Sequence, residues 1–210
     1  MKPNTSKQKV IDAASSLFFQ KGFHGTSVRD IAERASVNVS LISYYFKGKQ
    51  GLLEYAVSYY YEAYLKAIEE TLLETEQLSA LDQLKELIST IIHYKQMHHQ
   101  FSCFIHRELS LDSVFVREMA VTYLAKENFY VSKAFEAVIR VNKKTDPEER
   151  SFLLMQFKGM LTTPYILHNE WKNQVVGQYS HRQFAEKYVK SIHQWIDFAA
   201  KEPADKTASS

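Results

Sequence analysis

The sequence has 210 residues, with 26 Lys and Arg residues against 24 Asp and Glu residues, and a formal net charge of +2 at pH 7. A hydrophobic share of 45%, with only six Gly and four Pro, excludes a disordered chain and argues against a many-stranded β-sandwich or barrel. The single Cys cannot form an internal disulfide, and no apolar run is long enough to span a membrane.

The charges are distributed unevenly along the chain. Residues 1–51 carry eight basic and three acidic side chains, whereas residues 52–210 carry 18 basic and 21 acidic ones. A small basic unit followed by a larger, mildly acidic body is typical of a nucleic-acid-binding protein with a second module, although chance clustering gives the same pattern. Asp12 interrupts the basic and then apolar start, so we expect no signal peptide and a cytoplasmic protein. Nucleic-acid binding would make this protein nucleoid-associated.

The first 50 residues predict three short helices. Val10, Ala14 and Leu17 mark one apolar stripe of a first helix, which ends at Gly22. A second helix begins after an N-cap at Thr26 or Ser27 and ends before a three-residue break. A third helix carries Leu41, Ile42, Tyr45 and Phe46 before Lys47-Gly48 ends it. Two short helices joined by a tight turn indicate a helix-turn-helix unit.

The remainder of the chain predicts longer helices. They cover about 50–75, 81–97, 100–109, 113–141, 147–171 and 181–200. Asp146 and Pro147 are a typical cap and first residue of a helix, and Pro164 predicts a kink near 160–163. We therefore predict an all-α fold with these parts: a DNA-binding head at 3–48 (motif at about 27–46), a helical regulatory and dimerisation body of about six helices at 49–200, and a loose tail at 201–210.

The candidate DNA-binding residues lie at the starts of the second and third helices. A recognition helix places its N-terminal end at the base edges, where Asn38 and Ser40 could hydrogen-bond and Val39 could touch a thymine methyl. The alternative for Asn38 is that it only caps the helix. Groups suited to phosphate complete the predicted set, which is Thr26, Ser27, Arg29, Asn38, Val39, Ser40, Tyr44 and Lys49. An N-terminal arm of Lys2, Lys7 and Lys9 in the minor groove is an alternative to a solvated terminus.

Three stretches, TSVRDIAERASV at 26–37, ISYYF at 42–46 and KQGLL at 49–53, resemble the signature of the TetR family of transcriptional regulators. The resemblance implies a regulator that binds double-stranded DNA, with six further helices after its head. Two residues depart from the family pattern, because Ser36 stands where Gly is common and Ser43 where Tyr is common. Ser43 removes an aromatic side chain that the family often directs at DNA.

The two helices at 147–171 and 181–200 are the strongest amphipathic candidates for self-association. Their two-fold copies would close a four-helix interface and present two recognition helices to a near-palindromic site. The predicted interface residues of this homodimer are Phe152, Phe157, Met160, Leu161, Ile192, Trp195 and Ile196.

Two charge pairs in the body, Arg107-Glu108 and Arg117-Glu118, form either intramolecular salt bridges or an exposed patch for a protein partner. Residues 43–49, 104–112 and 116–118 further resemble a TetR-type protein of spore-forming bacteria that inhibits the division protein FtsZ. By that resemblance the body would contact FtsZ. The alternative is a conventional repressor released by a small ligand among the body's aromatic residues. A closed pocket would favour the ligand, and a filled core the protein partner.

The sequence favours binding over catalysis. It contains no G-x-S-x-G, no complete P-loop and no H-E-x-x-H motif, so we predict that the protein is not an enzyme. His99, Cys103 and His106 share one helical face at a spacing that zinc could use, but no obvious fourth ligand lies nearby. We therefore predict neither a metal site nor a cofactor.

Overall fold

The computed structural model describes residues 6–111, 114–142, 146–171 and 179–201, and within these ranges the chain is helical with no strand. The all-α prediction is therefore confirmed. Lys2, residues 112–113, the linker residues 143–145 and the tail beyond Lys201 lie outside the described residues. The helices are α1 (Ser6–Lys21), α2 (Val28–Ala35), α3 (Val39–Phe46), α4 (Lys49–Glu74), α5 (Ala80–Met97), α6 (His99–Ser110), α7 (Val114–Asn142), α8 (Pro147–Ile166), α9 (His168–Trp171) and α10 (His181–Ala199).

The helices belong to two compact units. One comprises residues 1–65 and 98–124, and the other comprises residues 66–97 and 125–210. The first unit contains the head predicted for 3–48 together with the start of α4 and all of α6, because α6 packs against α1. No helix in the described part of the chain is both long and apolar enough to cross a bilayer.

The helix ends in the head follow local signals that are visible in the sequence. Gly22 adopts a left-handed conformation (φ 73°) directly after α1, where a side chain would be strained. Ser27 caps α2: its hydroxyl accepts the Asp30 N–H, and the Asp30 carboxylate accepts the Ser27 N–H in return. The sequence leaves the cap open between Thr26 and Ser27, and the structure assigns it to Ser27.

The helix predicted over 147–171 is two helices in the structure. Asp146 caps α8 and Pro147 opens it, as predicted. Pro164 has no N–H to donate to the Met160 carbonyl, and α8 ends two residues later at Ile166. The hydroxyl of Tyr188, on α10, donates to the Met160 oxygen at 2.7 Å in place of the missing N–H. The single-helix prediction was therefore wrong at its C-terminal end.

The interior of the second unit contains a paired lysine. Lys95 on α5 is only 1% exposed, and its Nζ lies 3.1 Å from Glu127 Oε1 and 3.4 Å from the Leu161 carbonyl oxygen. A buried ammonium requires such partners, because an isolated buried charge is very unfavourable. The ion pair therefore joins α5 to α7 within an otherwise largely apolar core.

Most of the residues predicted for the dimer interface lie inside a single chain. Four are at most 2% exposed in the monomer: Phe157, Leu161, Ile192 and Ile196. The Phe157 ring stacks on Phe135 of α7 with centroids 5.0 Å apart. Met160 and Trp195 are half-buried, whereas Phe152 is 52% exposed. These four residues form the core of their own chain, so their predicted place in the dimer interface is wrong.

Candidate nucleic-acid interface

Helices α2 and α3 form a helix-turn-helix through the turn at Ser36–Asn38. Ser36 adopts a left-handed conformation (φ 54°), and the Val37 N–H donates to the Ala32 carbonyl at 3.0 Å. Ile42 and Phe46 are the buried side chains of α3, so they hold this helix against the rest of the head. The turn is therefore tight despite having Ser instead of Gly at its left-handed position.

The opposite face of α3 is exposed. Val39 is 40% exposed and Tyr44 is 81% exposed, and Ser40 and Ser43 are exposed between them. The Tyr44 ring packs edge-on against Tyr45 with centroids 5.1 Å apart. The predicted base contacts Val39 and Ser40 and the predicted phosphate contact Tyr44 therefore share an accessible helix surface of mixed polar and apolar character.

Asn38 caps α3. Its Oδ1 accepts the Ser40 backbone N–H at 2.9 Å and the Ser40 hydroxyl at 2.7 Å. An amide that caps through its oxygen still carries two N–H donors, so capping and base contact are compatible roles for this residue. Because the Ser40 hydroxyl donates its hydrogen to Asn38, Ser40 presents only its acceptor lone pairs to a base in this arrangement.

The N-terminus of α2 combines exposed donors with a basic side chain. Ser27 and Arg29 are exposed in its first turn. Hydrogen bonds from the backbone and side chain of Ser27 hold the pKa of the Asp30 carboxyl below its ordinary value. This carboxylate already occupies part of the positive end of the helix dipole, so Arg29 would supply the charge that a phosphate needs.

Thr26 is not available for the contact predicted for its side chain. It is 2% exposed, and its hydroxyl donates to the Gly22 carbonyl oxygen at 2.8 Å. The hydroxyl instead stabilises the turn between α1 and α2. The prediction that the Thr26 side chain contacts phosphate is therefore wrong.

Lys49, at the start of α4, has its ammonium group directed into the protein. Its Nζ donates to the carbonyl oxygens of Phe23 and Thr26, both at 2.8 Å, and lies 4.4 Å from the centroid of the Phe23 ring. The predicted phosphate contact is thus replaced, in the free protein, by contacts with the connection between α1 and α2. No sequence pattern indicated these acceptors, because both are backbone groups.

Arg107 on α6 also reaches backbone oxygens. Its guanidinium donates to Phe18 O at 3.0 Å and to Phe19 O at 3.1 Å, in the last turn of α1. The predicted salt bridge from α6 to α7 and the predicted patch both fail for this residue, because its donors contact α1. Glu108 is half-buried, and Arg117 and Glu118 are exposed on α7.

The predicted N-terminal arm and the Cys/His face of α6 can also be compared with the structure. Lys7 lies with its Nζ 3.9 Å from the centroid of the Tyr55 ring, so this part of the predicted N-terminal arm contacts α4, while Lys9 is exposed.

Within α6, the Cys103 Sγ lies 3.6 Å from His99 Nε2. Burial raises the pKa of the Cys103 thiol to about 12, so it remains a protonated core side chain near neutral pH.

Comparisons with known proteins agree with this geometry. The family model for bacterial regulatory proteins of the tetR family matches residues 10–56, which include the helix-turn-helix. "Probable HTH-type transcriptional regulator YttP" of Bacillus subtilis is 39% identical over 200 residues, which cover 91% of this chain and 92% of that protein.

Solved structures share the fold at lower identity. PfmR, a TetR family transcriptional regulator from Thermus thermophilus, superposes with a TM-score of 0.68 at 15% identity, covering 95% of this chain and 98% of that one. The transcriptional regulator FadR from Bacillus subtilis, in complex with stearoyl-CoA, gives a TM-score of 0.63 at 18% identity, covering 88% and 96%. A transcriptional regulator is 39% identical over nearly the whole of both chains, and the tetR family model matches the helix-turn-helix. The chain therefore belongs to the TetR family of DNA-binding transcriptional regulators.

Proposed function

We propose that the protein is a homodimer that recognises a near-palindromic site in double-stranded DNA, with α3 of each subunit in a major groove. The observation that carries this proposal is the exposed N-terminal end of α3, where Asn38, Val39 and Ser40 lie above the buried Ile42. These three residues would discriminate bases, while Ser27, Arg29 and Tyr44 would hold phosphates and fix the register. The role is binding, not catalysis, and its setting is the nucleoid of the cytoplasm.

The revised dimer face consists of apolar side chains that the monomer leaves exposed. Phe152, Met155 and Ile166 on α8 are 52%, 63% and 40% exposed, and Phe198 on α10 is 77% exposed. Exposed apolar groups of this size favour a protein interface. Phe152 and Met155 are three residues apart and therefore share a helical face. Phe152 belongs to the interface set predicted from the sequence, whereas Met155, Ile166 and Phe198 do not.

The test of the DNA-binding proposal is selection of duplexes from a random pool by the purified protein, followed by genome-wide mapping of bound sites. We expect enrichment of a sequence with two inverted half-sites, bound by two chains. Scrambling one half-site should lower the affinity towards that for random DNA, and log affinity should fall linearly with log salt concentration. Selection of no sequence, or of a single half-site bound by one chain, contradicts the proposal.

For the output of DNA binding we propose a RefZ-like role, in which the DNA-bound protein modulates cell division through FtsZ. The resemblance of residues 104–112 and 116–118 supports it, and Arg117 and Glu118 are exposed on α7. Arg107 no longer belongs to the proposed contact, because it is engaged with α1.

The FtsZ proposal is tested by adding the protein to polymerising FtsZ and measuring polymer mass by sedimentation. We expect inhibition by the wild type and by Lys126→Glu, a control charge reversal at an exposed position on the same helix, and loss of inhibition with Arg117→Glu. DNA affinity should be equal in all three proteins. Inhibition by Arg117→Glu that equals the wild type contradicts the patch, and no inhibition by any of them contradicts the FtsZ role.

The alternative function is a repressor released by a small ligand. In its favour, FadR, which shares the fold, binds stearoyl-CoA, and a cleft in the second unit brings Phe135 and Leu154 together with Arg140 and Arg150. The volume of this cleft, about 200 Å³, is below the roughly 300–1,000 Å³ of typical ligand sites, so this cleft would hold only part of a large ligand. A fall in DNA affinity on adding stearoyl-CoA or another acyl-CoA at micromolar concentration would favour this function over the FtsZ role.

A further inference from the structure

We propose that Lys49 and Arg107 are positioning residues for DNA binding, which act on the backbone of the connection between α1 and α2 and not on DNA. This connection comprises the last turn of α1, from Phe18, and the residues that follow it up to Thr26. The inference rests on the proposed phosphate contact at the N-terminus of α2, and it assigns to Lys49 a role other than the direct contact expected from its sequence position.

The Lys49 ammonium holds the C-terminal end of the connection. Its acceptors, the carbonyl oxygens of Phe23 and Thr26, both lie 2.8 Å away. Thr26 immediately precedes Ser27, the cap of α2, so a displaced Thr26 carbonyl would also displace the cap and the first N–H groups of α2. Hydrogen bonds from a charged donor are stronger than those between neutral groups, and the partial burial of Lys49 limits competition from water.

The Arg107 guanidinium holds the N-terminal end of the connection. Phe18 O and Phe19 O belong to the last turn of α1, where the helix dipole is negative. Phe18 O also accepts the Gly22 N–H at 2.9 Å, so Arg107 is its second donor. The neighbouring contact is apolar, because the Phe104 ring of α6 stacks on Phe18 with centroids 5.3 Å apart. Arg107 and Phe104 therefore attach α6 to the end of α1 through a polar and an apolar contact.

Two helices outside the head, α4 and α6, thus each supply one cation to the connection. Neither cation needs to approach DNA for this role. Removing either one should loosen the N-terminus of α2 and weaken DNA binding without changing the number of phosphate charges that the protein neutralises. The salt dependence of binding separates the two roles, because each cation that contacts a phosphate contributes about one unit to the slope of log affinity against log salt concentration.

The experiment compares Lys49→Met and Arg107→Met with two controls in the full-length protein. Lys190→Met removes a charge from an exposed position on α10, and Arg29→Gln removes a proposed direct phosphate contact. Affinity and salt slope are measured on a random-sequence duplex and on the best duplex selected by the wild type. Amide hydrogen exchange is measured on the free proteins, in peptides covering 18–31 and 181–199.

We expect Lys49→Met and Arg107→Met each to lose about tenfold in affinity for both duplexes, with the wild-type salt slope. Exchange should rise in 18–31 and stay unchanged in 181–199. Arg29→Gln should lower the slope by about one unit with normal exchange, and Lys190→Met should match the wild type. Lys49→Arg and Arg107→Lys, which keep a cation near each pair of carbonyls, should recover most of the affinity even where the Met variants fold poorly.

The failures are distinguishable. A slope that falls by about one unit in Lys49→Met shows that the ammonium contacts phosphate and overturns its positioning role. If the wild type binds DNA but both Met variants keep its DNA affinity and its amide hydrogen exchange in 18–31, the positioning role of both cations is overturned. A wild type that binds neither duplex overturns the proposed function itself.

Discussion

At the scale of single residues, the turn of the helix-turn-helix places a residue with a Cβ in the left-handed region. Ser36 and Lys47 are the residues other than glycine with positive φ in the described part of the chain, at 54° and 57°. The left-handed conformation costs a residue with a Cβ about 1–2 kcal/mol. Ser36 lies where the family commonly has Gly, so this departure has a structural cost and not only a statistical one.

We expect Ser36→Gly to raise the free energy of unfolding by ~0.5–1 kcal/mol, because relief of strain exceeds the additional entropy of glycine in the unfolded chain. Chemical denaturation of the two proteins measures the difference. Ser43→Gly, the same change at an exposed position inside α3, should instead lower the free energy of unfolding by ~0.5–1 kcal/mol. Equal effects of the two substitutions would show that Ser36 is not strained.

Asn38 allows the cap and the base contact to be tested separately. Asn38→Ser retains a side-chain oxygen for the Ser40 N–H but removes the amide donors, so specific affinity should fall by about 1–3 kcal/mol while stability and random-DNA affinity are maintained. Asn38→Ala should additionally lower the free energy of unfolding by ~1 kcal/mol. Binding titrations and thermal melts measure the two effects. An Asn38→Ser protein with wild-type discrimination would assign Asn38 to capping alone.

At the scale of elements, the helix boundaries that local capping residues set were predictable from the sequence, whereas the contacts between helices were not. Capping is a local effect that can be read from the sequence. It is seen at Ser27, Gly22 and the Asp146-Pro147 pair, each of which affects only residues nearby in the chain. The C-terminal end of α8 was misplaced by five residues (Trp171 predicted, Ile166 observed), since the break depends on Pro164 and on a Tyr188 contact from another helix. The same holds for the site: exposed Val39 and Ser40 were predictable, but the internal contacts of Lys49 were not.

The contact between Tyr188 and Met160 predicts a coupling between α8 and α10. Tyr188→Phe should lower the free energy of unfolding by about 1 kcal/mol, because the Met160 carbonyl loses its donor. In a Pro164→Ala background, where a backbone N–H can donate to that carbonyl again, the same substitution should cost less. A double-mutant cycle by chemical denaturation measures this difference. Strict additivity would show that Pro164 and Tyr188 act independently.

At the scale of the whole molecule, the apolar faces of α8 and α10 divide between the core and the surface. A periodic apolar stripe shows which face of a helix is covered but not whether its own chain or a second copy covers it. The apolar stripes that contain Leu161 and Ile196 therefore predict a dimer face, although both residues are buried in the monomer. Exposed Phe152 and Phe198 are the better candidates.

We expect the double variant Phe152→Glu and Phe198→Glu to be monomeric by sedimentation at concentrations where the wild type is a dimer, because two charges per subunit would be buried at the interface. Its affinity for a two-half-site duplex should fall towards that for a single half-site. Phe129→Glu, at another exposed aromatic position, is the control and should remain dimeric. A dimeric double variant would place the interface elsewhere.

The Lys95–Glu127 pair has a consequence for how relatives of this chain can diverge. Substitution of one partner would leave the other charge buried and unpaired, at a cost of about 3–5 kcal/mol. This cost is comparable with the whole free energy of unfolding of many domains. Exchanging both for well-fitting hydrocarbon side chains would cost little or nothing. In an alignment of this branch of the family, positions 95 and 127 should therefore covary, either as an ion pair or as two apolar residues. Sequences with one charged and one apolar residue at these positions should be rare.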